Sequence, residues 1–345
     1  MIWVTADLHV KRRLWNNCTK IEGDTYKALE KAAAMLPDSD QVLIDCGDAL
    51  DVVRPKAEDV AAVSQFFSKF RKVYVVDGNH DKAEPSWTDL LRCSNVVHLS
   101  EDPVIEDGFA LFGMSFTPDK EKLLDFLQTV SEKQVPGKRT IIVLHQGFKE
   151  FISFGGAFEL TKEDVFSLFD EVTVLVGHVH ISGRISEPSK HLISPGPIVP
   201  QDLDQAKHIQ YFSELTADGI LRKHPIKVRN FFFTDSIDYL PEPEKDMLPP
   251  AVIVQLEPAQ PIPAVSKELQ EKYVFIWKRA IAEVSDSDTE ISRAQTLEEA
   301  IQEEIQQTEP VYGQKIAALI RHLMNSDDPV QFLEEVITKW KAVRS

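Results

Sequence analysis

The chain has 345 residues, 43% hydrophobic and 27% charged, with a formal net charge of −17. That length supports one large or two moderate domains with a sizeable buried core, and the composition is that of an ordinary soluble globular protein rather than a low-complexity or membrane chain. Such an acidic balance argues against strong unaided binding to nucleic acid, which rests on Lys and Arg neutralising phosphates.

The acidity is uneven. Residues 235–345 hold 21 acidic and 11 basic side chains, so more than half of the excess lies in the last third of the chain. Part of the remainder consists of carboxylates that bound cations would offset. No apolar stretch approaches the ~18 residues of a membrane span. Asp7 and His9 interrupt the first apolar run, which therefore does not read as a signal peptide. Cys18, Cys46 and Cys93 form no CxxC pair and leave an odd count, so a reducing, cytoplasmic setting is expected.

Taken in chain order, residues 2–6 read as a buried strand and 24–35 as a helix closed by Pro37. A second strand is expected over 41–46. A helix follows over 57–70, with Val60, Val63, Phe66, Phe67 and Phe70 on one face, and then a third strand over 72–76. Further strands are expected over 140–144 and 172–176. Strands alternating with helices make the α/β pattern. After Ser194-Pro195-Gly196 the pattern changes to two antiparallel strands, 211–215 and 221–228, around the Asp218-Gly219 turn. Residues 241–263 are proline-rich around a strand at 251–256, which marks a small second domain with a helix near 266–273 and a strand at 274–277. The expected organisation is a domain over 1–235, a small domain over 236–284, an acidic linker over 285–296 and a helical segment over 297–345. Apolar positions in the last segment include Phe332, Leu333 and Trp340.

Five short motifs fall at the ends of these strands: Asp7-Leu8-His9, Gly47-Asp48, Gly78-Asn79-His80-Asp81, His145-Gln146 and Gly177-His178-Val179-His180. Strand ends are where open α/β sheets place ligands. The motifs supply hard oxygens and imidazoles, a mixture that suits Mn²⁺, Fe or Zn²⁺ better than Ca²⁺. Two such ions ~3.5–4 Å apart can clamp a phosphate and acidify an attacking water. Asp7 and His9, two apart, are expected to face one side of a strand end, and the glycines before Asp48, Asn79 and His178 to permit a sharp exit from each strand. Other histidines (His98, His191, His208, His224, His322) read as structural or surface groups. Asp81 reads as a turn residue supporting the site. Lys11, Arg12, Arg13 and Arg54 read either as phosphate contacts or as a solvated loop.

The order of these motifs resembles the calcineurin-like metallophosphoesterases. Leu144-His145-Gln146, Ser194-Pro195-Gly196 and Arg229-Asn230-Phe231-Phe232 resemble segments of their DNA-repair branch, the Mre11/SbcD nucleases. The resemblance implies an α/β fold, a β-sandwich flanked by helices, with a small α+β capping domain and C-terminal helices. It implies that Asp7, His9 and His180 hold one metal, that Asn79, His145 and His178 hold the other, and that Asp48 bridges them. His80 takes the place of the histidine that contacts the scissile phosphate. Where cellular members often carry a histidine, this chain has Asp51. The expectation is that Asp51 pairs with His80, as the aspartate there does in related phosphatases.

The same resemblance implies a Mn²⁺-dependent 3′→5′ exonuclease and endonuclease acting on DNA with a Rad50/SbcC-type ATPase. That partner would dock on the C-terminal helices around Phe332, Leu333 and Trp340. A homodimer through the 24–35 and 57–70 helices is also implied, in a bacterial, archaeal or phage setting. Two other functions remain open on the residues: a small-molecule or cyclic-nucleotide phosphodiesterase, which the negative charge favours, and a non-catalytic scaffold, which the intact ligand set disfavours.

Overall fold

The computed structural model describes residues 1–279 apart from 16, 17, 39, 53, 82–85, 92, 153–158 and 258–259. The expected linker and helical segment, with Phe332, Leu333 and Trp340, lie outside the described residues, as does His322. The first part of the chain runs β1 (Ile2–Thr5), β2 (Arg13–Trp15), β3 (Cys18–Glu22), α1 (Asp24–Ala34), β4 (Val42–Asp45), α2 (Ala57–Phe67), β5 (Lys72–Val75), α3 (Trp87–Leu90) and β6 (Val96–His98). The second runs β7 (Val104–Glu106), β8 (Phe109–Met114), α4 (Lys120–Glu132), β9 (Arg139–His145), α5 (Lys162–Phe166), β10 (Val172–Gly177), β11 (Gly183–Glu187) and β12 (Lys190–Ser194). The last comprises β13 (Gln210–Leu215), β14 (Leu221–Ile226), β15 (Arg229–Thr234), β16 (Leu248–Leu256), α6 (Lys267–Lys272) and β17 (Val274–Arg279).

Two six-stranded sheets form a sandwich, in the orders β14-β13-β1-β4-β5-β6 and β11-β12-β10-β9-β8-β7. Their central strands pair in parallel, and each is buried on both faces, which explains why they read as unbroken apolar runs. Side chains alternate along each strand. Ile2, Val4, Val42 and Ile44 therefore point into the space between the sheets, where they meet Ile141, Val143, Leu175 and Ile193 of the other sheet. The alternate residues Trp3, Leu43, Val73 and Val75 face outward and are covered by α1 and α2. On the second sheet Phe112, Ile142, Leu144 and Val174 are covered by α4 and α5. The result is a four-layer helix–sheet–sheet–helix α/β fold, as the motif order implies.

The C-terminal segment of the described chain forms a third, parallel sheet in the order β15-β16-β17 with its own small core of Val252, Val254, Leu256, Tyr273 and Phe275. β15 starts at Arg229, ahead of the boundary expected at 235. Arg229 is the joint. Its guanidinium makes two 2.8 Å bonds to the carboxylate of Asp24 at the start of α1 and a third to the carbonyl of Glu22. Both charged groups are almost fully buried, so the pair is tolerable only because each compensates the other. Among the described residues, no helix is long and apolar enough to cross a membrane.

Candidate metal centre

Five strand ends converge on one point. From the first sheet come the residues just after β1, β4 and β5; from the second, His145 as the last residue of β9 and His178 just after β10. Beyond β1 and β4 the backbone stays zipped. Asp7 N–H donates to the Gly47 carbonyl, His9 N–H to that of Asp48 and Val10 N–H to that of Ala49, at 2.9–3.0 Å.

Asp7 and His9 are not presented by strand alternation, contrary to the sequence expectation, because β1 has already ended at Thr5. They converge because both adopt left-handed backbone, with φ of 51° and 40°. Asp48, His178 and His180 do the same, at 55°, 81° and 53°. Five of the eight non-glycine residues with positive φ among those described are thus candidate ligands, and such conformations cost on the order of 1–3 kcal/mol each unless the surroundings hold them. The glycines before the motif residues serve two purposes. Gly47 has φ 94° and makes the turn. Gly78 and Gly177 supply room: a Cβ on Gly78 would overlap Asp48 Oδ1, and one on Gly177 the Cys46 carbonyl.

The side chains meet as follows. His180 Nε2 lies 2.9 Å from His9 Nε2 and 3.5 Å from Asp7 Oδ1. Asn79 Oδ1 lies 2.9 Å from His178 Nδ1 and 3.2 Å from His145 Nε2. Asp48 stands between these clusters, its Oδ2 at 3.2 Å from His145 Nε2 and 3.6 Å from His9 Nε2. Donor atoms of Asp7, His9 and His180, of His9, Asp48 and His80, and of Asp7, Asp48 and His145 each fall within 4.8 Å of one another. All seven residues singled out as ligands are therefore brought together.

The donor set fits cations. Asp7 Oδ2 is buried with no hydrogen-bond partner, an arrangement that is costly unless a ligand completes it. Ring nitrogens of His9, His145, His178 and His180 and side-chain oxygens of Asp48 and Asn79 meet in the same cluster. The charges respond accordingly. Burial works against the His145 imidazolium, but its bond to Asp48 and the charges of Asp48 and Asp7 together lift it to about 9. Burial would raise Asp48, yet that bond, the charges of His145 and His9 and the His80 N–H together hold it below the ordinary carboxylate range. Burial and the neighbouring His145 charge press His178 down to about 4, so it is neutral and able to ligate.

Surrounding groups fix the ligands. His145 Nδ1–H donates to the Cys46 carbonyl at 2.7 Å, which directs Nε2 into the site. Phe116 packs on His145 and His178 at ring separations of 6.3 and 5.4 Å; nothing in the sequence signals it. Asp81 is buried and accepts the N–H groups of Asp48, Gly78 and Leu50, a supporting role as expected. The Gln146 amide pairs with the backbone of Thr117 and takes no part in the cluster. His98, His191, His208 and His224 do not enter the ligand cluster.

One expectation is overturned. The Asp51 carboxylate does not pair with His80. It lies 2.8 Å from Lys11 Nζ and 3.2 Å from His9 Nδ1. His80 Nδ1 donates instead to the Asp51 backbone carbonyl at 2.5 Å, while its backbone N–H donates to Asp48 Oδ1 at 2.8 Å. A carbonyl three residues past Asp48 reaches His80 more directly than a side chain committed to a lysine. Arg12 is exposed and paired with Glu22. Beside His178 and His180 opens a cleft of about 1020 Å³, walled by Ile181, Lys207, Tyr211 and Lys223.

The pattern of calcineurin-like phosphoesterases matches residues 1–182, more than half of the chain. The chain belongs to the calcineurin-like phosphoesterase family. Within it, this phosphoesterase is 21% identical over 204 residues to the DNA double-strand break repair protein Mre11 of Saccharolobus solfataricus, covering 55% of this chain and 51% of that protein. It is 27% identical over 191 residues to the protein of the same name from Methanocaldococcus jannaschii, covering 51% and 50%. The chain thus spans about half the length of these relatives. Among solved structures, a phosphopantetheinyl hydrolase from Mycobacterium tuberculosis is 14% identical at a TM-score of 0.39, over 56% of this chain and 88% of that one. Family and donor set together make this phosphoesterase a metal-dependent hydrolase.

Proposed function

We propose that this phosphoesterase is a two-metal DNA nuclease of the Mre11 type. The observation that carries the metal reading is the position of Asp48 between two clusters of nitrogen and oxygen donors. Asp7, His9 and His180 would hold one divalent ion, Asn79, His145 and His178 the other, and Asp48 both. Ions bound there supply Lewis-acid polarisation of the phosphate and of the attacking water, with Mn²⁺ the expected metal.

The chain's own contribution is positional. His80 is held at Nδ1 by the Asp51 carbonyl and at its backbone by Asp48. That leaves Nε2 as the ring nitrogen free to meet the leaving oxygen and give it a proton. Asp81 and the Cys46 carbonyl keep Asp48 and His145 in place as charge builds on the phosphate. The adjoining cleft offers the volume of a ligand site for more than a bare phosphate.

DNA as substrate is suggested by the two relatives named as DNA double-strand break repair proteins; an ATPase partner of the Rad50 type docking on the 297–345 segment is part of the same proposal and rests on the motif resemblance alone. A homodimer through α1 and α2 belongs to the same reading, as does a capping role for the β15–β17 sheet. The net charge of −17 favours a second reading, hydrolysis of small phosphodiesters, since nothing in it attracts a polyanion. End-labelled duplex DNA with Mn²⁺ separates the two, using wild type and His80→Asn with and without the ATPase. Degradation that the ATPase stimulates and His80→Asn abolishes is expected. Intact DNA beside rapid cleavage of bis(p-nitrophenyl) phosphate would select the second reading.

A further inference from the structure

We infer that Lys11 and Asp51 form a positioning pair that fixes the ring of His9 for metal binding. The inference rests on the metal centre proposed above and extends it to two residues that the ligand set does not include.

The backbone brings the pair together. The hydrogen bonds that zip the loops after β1 and β4 continue as far as the bridge between Val10 and Leu50. Lys11 and Asp51 are the next residues on each side, so they stand opposite one another as if the parallel pairing ran on. Lys11 is pinned from a second direction. The Thr25 hydroxyl, at the start of α1, donates to the Lys11 carbonyl at 2.7 Å and accepts its N–H at 3.3 Å. With its backbone fixed, Lys11 extends Nζ to 2.8 Å from Asp51 Oδ1. Both side chains are less than one-fifth exposed, so the contact is shielded from the screening that makes surface pairs weak.

The same Oδ1 lies 3.2 Å from His9 Nδ1, close enough for an ion pair though not aligned as a hydrogen bond, and Nδ1 is buried with no hydrogen-bond partner. A carboxylate oxygen can only accept, so its proximity favours the form of His9 that carries its proton on Nδ1. The lone pair is then on Nε2, the atom that meets His180 and Asp48. A carboxylate behind an imidazole in this way orients the ring and raises its basicity as a ligand. Lys11 in turn holds Asp51 at one rotamer and balances its charge, so the carboxylate supports His9 without drawing its ring out of the centre. His80 is held by the Asp51 carbonyl rather than its carboxylate, so a change in the side chain is read at His9.

The test measures binding of Mn²⁺ alone to metal-free protein by titration calorimetry, for wild type, Asp51→Asn, Lys11→Met and His9→Ala, with thermal melting of each metal-free variant alongside. Asp51→Asn should weaken one class of Mn²⁺ site by about 10–100-fold, the range seen when such supporting partners are removed. Lys11→Met should weaken the same class less, and His9→Ala should lose it, and the metal-free melting temperatures separate this loss of affinity from any loss of stability. Ring-nitrogen NMR should place the His9 proton on Nδ1 in wild type and show a mixture in Asp51→Asn. Unchanged Mn²⁺ affinity in Asp51→Asn, with normal binding by wild type, overturns the inference and leaves the metal centre standing. No Mn²⁺ binding by wild type overturns both.

Discussion

At the scale of single residues, the site is built from backbone that side chains normally avoid. Asp7, His9, Asp48, His178 and His180 all hold positive φ, and the neighbours that force this are close-packed. Gly78 illustrates the tolerance. Its Cα faces the carboxylate that stands between the two donor clusters, and an added methyl group would displace Asp48 Oδ1. Gly78→Ala should therefore cut phosphodiesterase activity by about 100-fold, the scale expected of an ångström-sized misplacement at a reacting centre. Turnover of bis(p-nitrophenyl) phosphate at saturating Mn²⁺ checks this, and activity within threefold of wild type would show that Asp48 does not need its place. Arg229 is decisive in a different way. Removing it strands the buried Asp24 carboxylate, so Arg229→Ala should cost about 3–5 kcal/mol, read by urea unfolding.

At the scale of elements, α3, α4, α5 and α6 each start where a side chain answers the unpaired backbone groups of the first turn. Thr161 and Asp164 form a reciprocal cap on α5: the Thr161 hydroxyl accepts the Asp164 N–H, and Asp164 accepts the Thr161 N–H at 2.7 Å. Burial would raise the Asp164 carboxyl, but these bonds and Lys120 hold it below its ordinary value. A depressed folded-state pKa contributes stability that is fully present above the unfolded value of about 3.9 and lost as pH falls through the folded one. Asp164→Asn should thus lower stability by about 1 kcal/mol at neutral pH. The difference in melting temperature from wild type should close as the pH drops below about 4, and a gap that persists at pH 3 would assign the effect to packing. The sequence reading found most of the central strands and both α1 and α2 because their apolar spacing is regular. Not legible there are β2, β3, β6, β7, β8, β11, β12 and β15 and the helices α3, α4 and α5. The strands are short or paired with distant partners, and the apolar face of α4, Leu123, Phe126, Leu127 and Val130, becomes distinctive only against the second sheet.

At the scale of the whole molecule, the donor set spans both sheets of the sandwich, three strand ends from one and two from the other. Metal binding should therefore clamp the sheets together. A ligand that binds only the folded state stabilises it by mass action, about 2.7 kcal/mol at a hundredfold excess over Kd. Melting temperature should rise with Mn²⁺ and fall back with EDTA. Asp48→Asn should abolish most of the rise, and His80→Asn, which removes no proposed ligand, should keep it. A melting curve indifferent to Mn²⁺ would count against a metal centre in this fold.

The sequence by itself determined the α/β class, the family and the seven side chains that converge. Parallel strands buried on both faces leave unbroken apolar runs, and the motif residues must follow directly where those runs stop. Tertiary structure alone decided what each side chain does there. The sequence places Asp51 near His80 in motif order, but its carboxylate turns to Lys11 and His9 because the β1 and β4 loops stay zipped past their strands. It likewise shows glycines before three motif residues, yet only packing reveals that all three make room for neighbours and that Gly47 also turns the chain. Both outcomes depend on contacts between segments far apart in the chain, and local pattern carries no record of those.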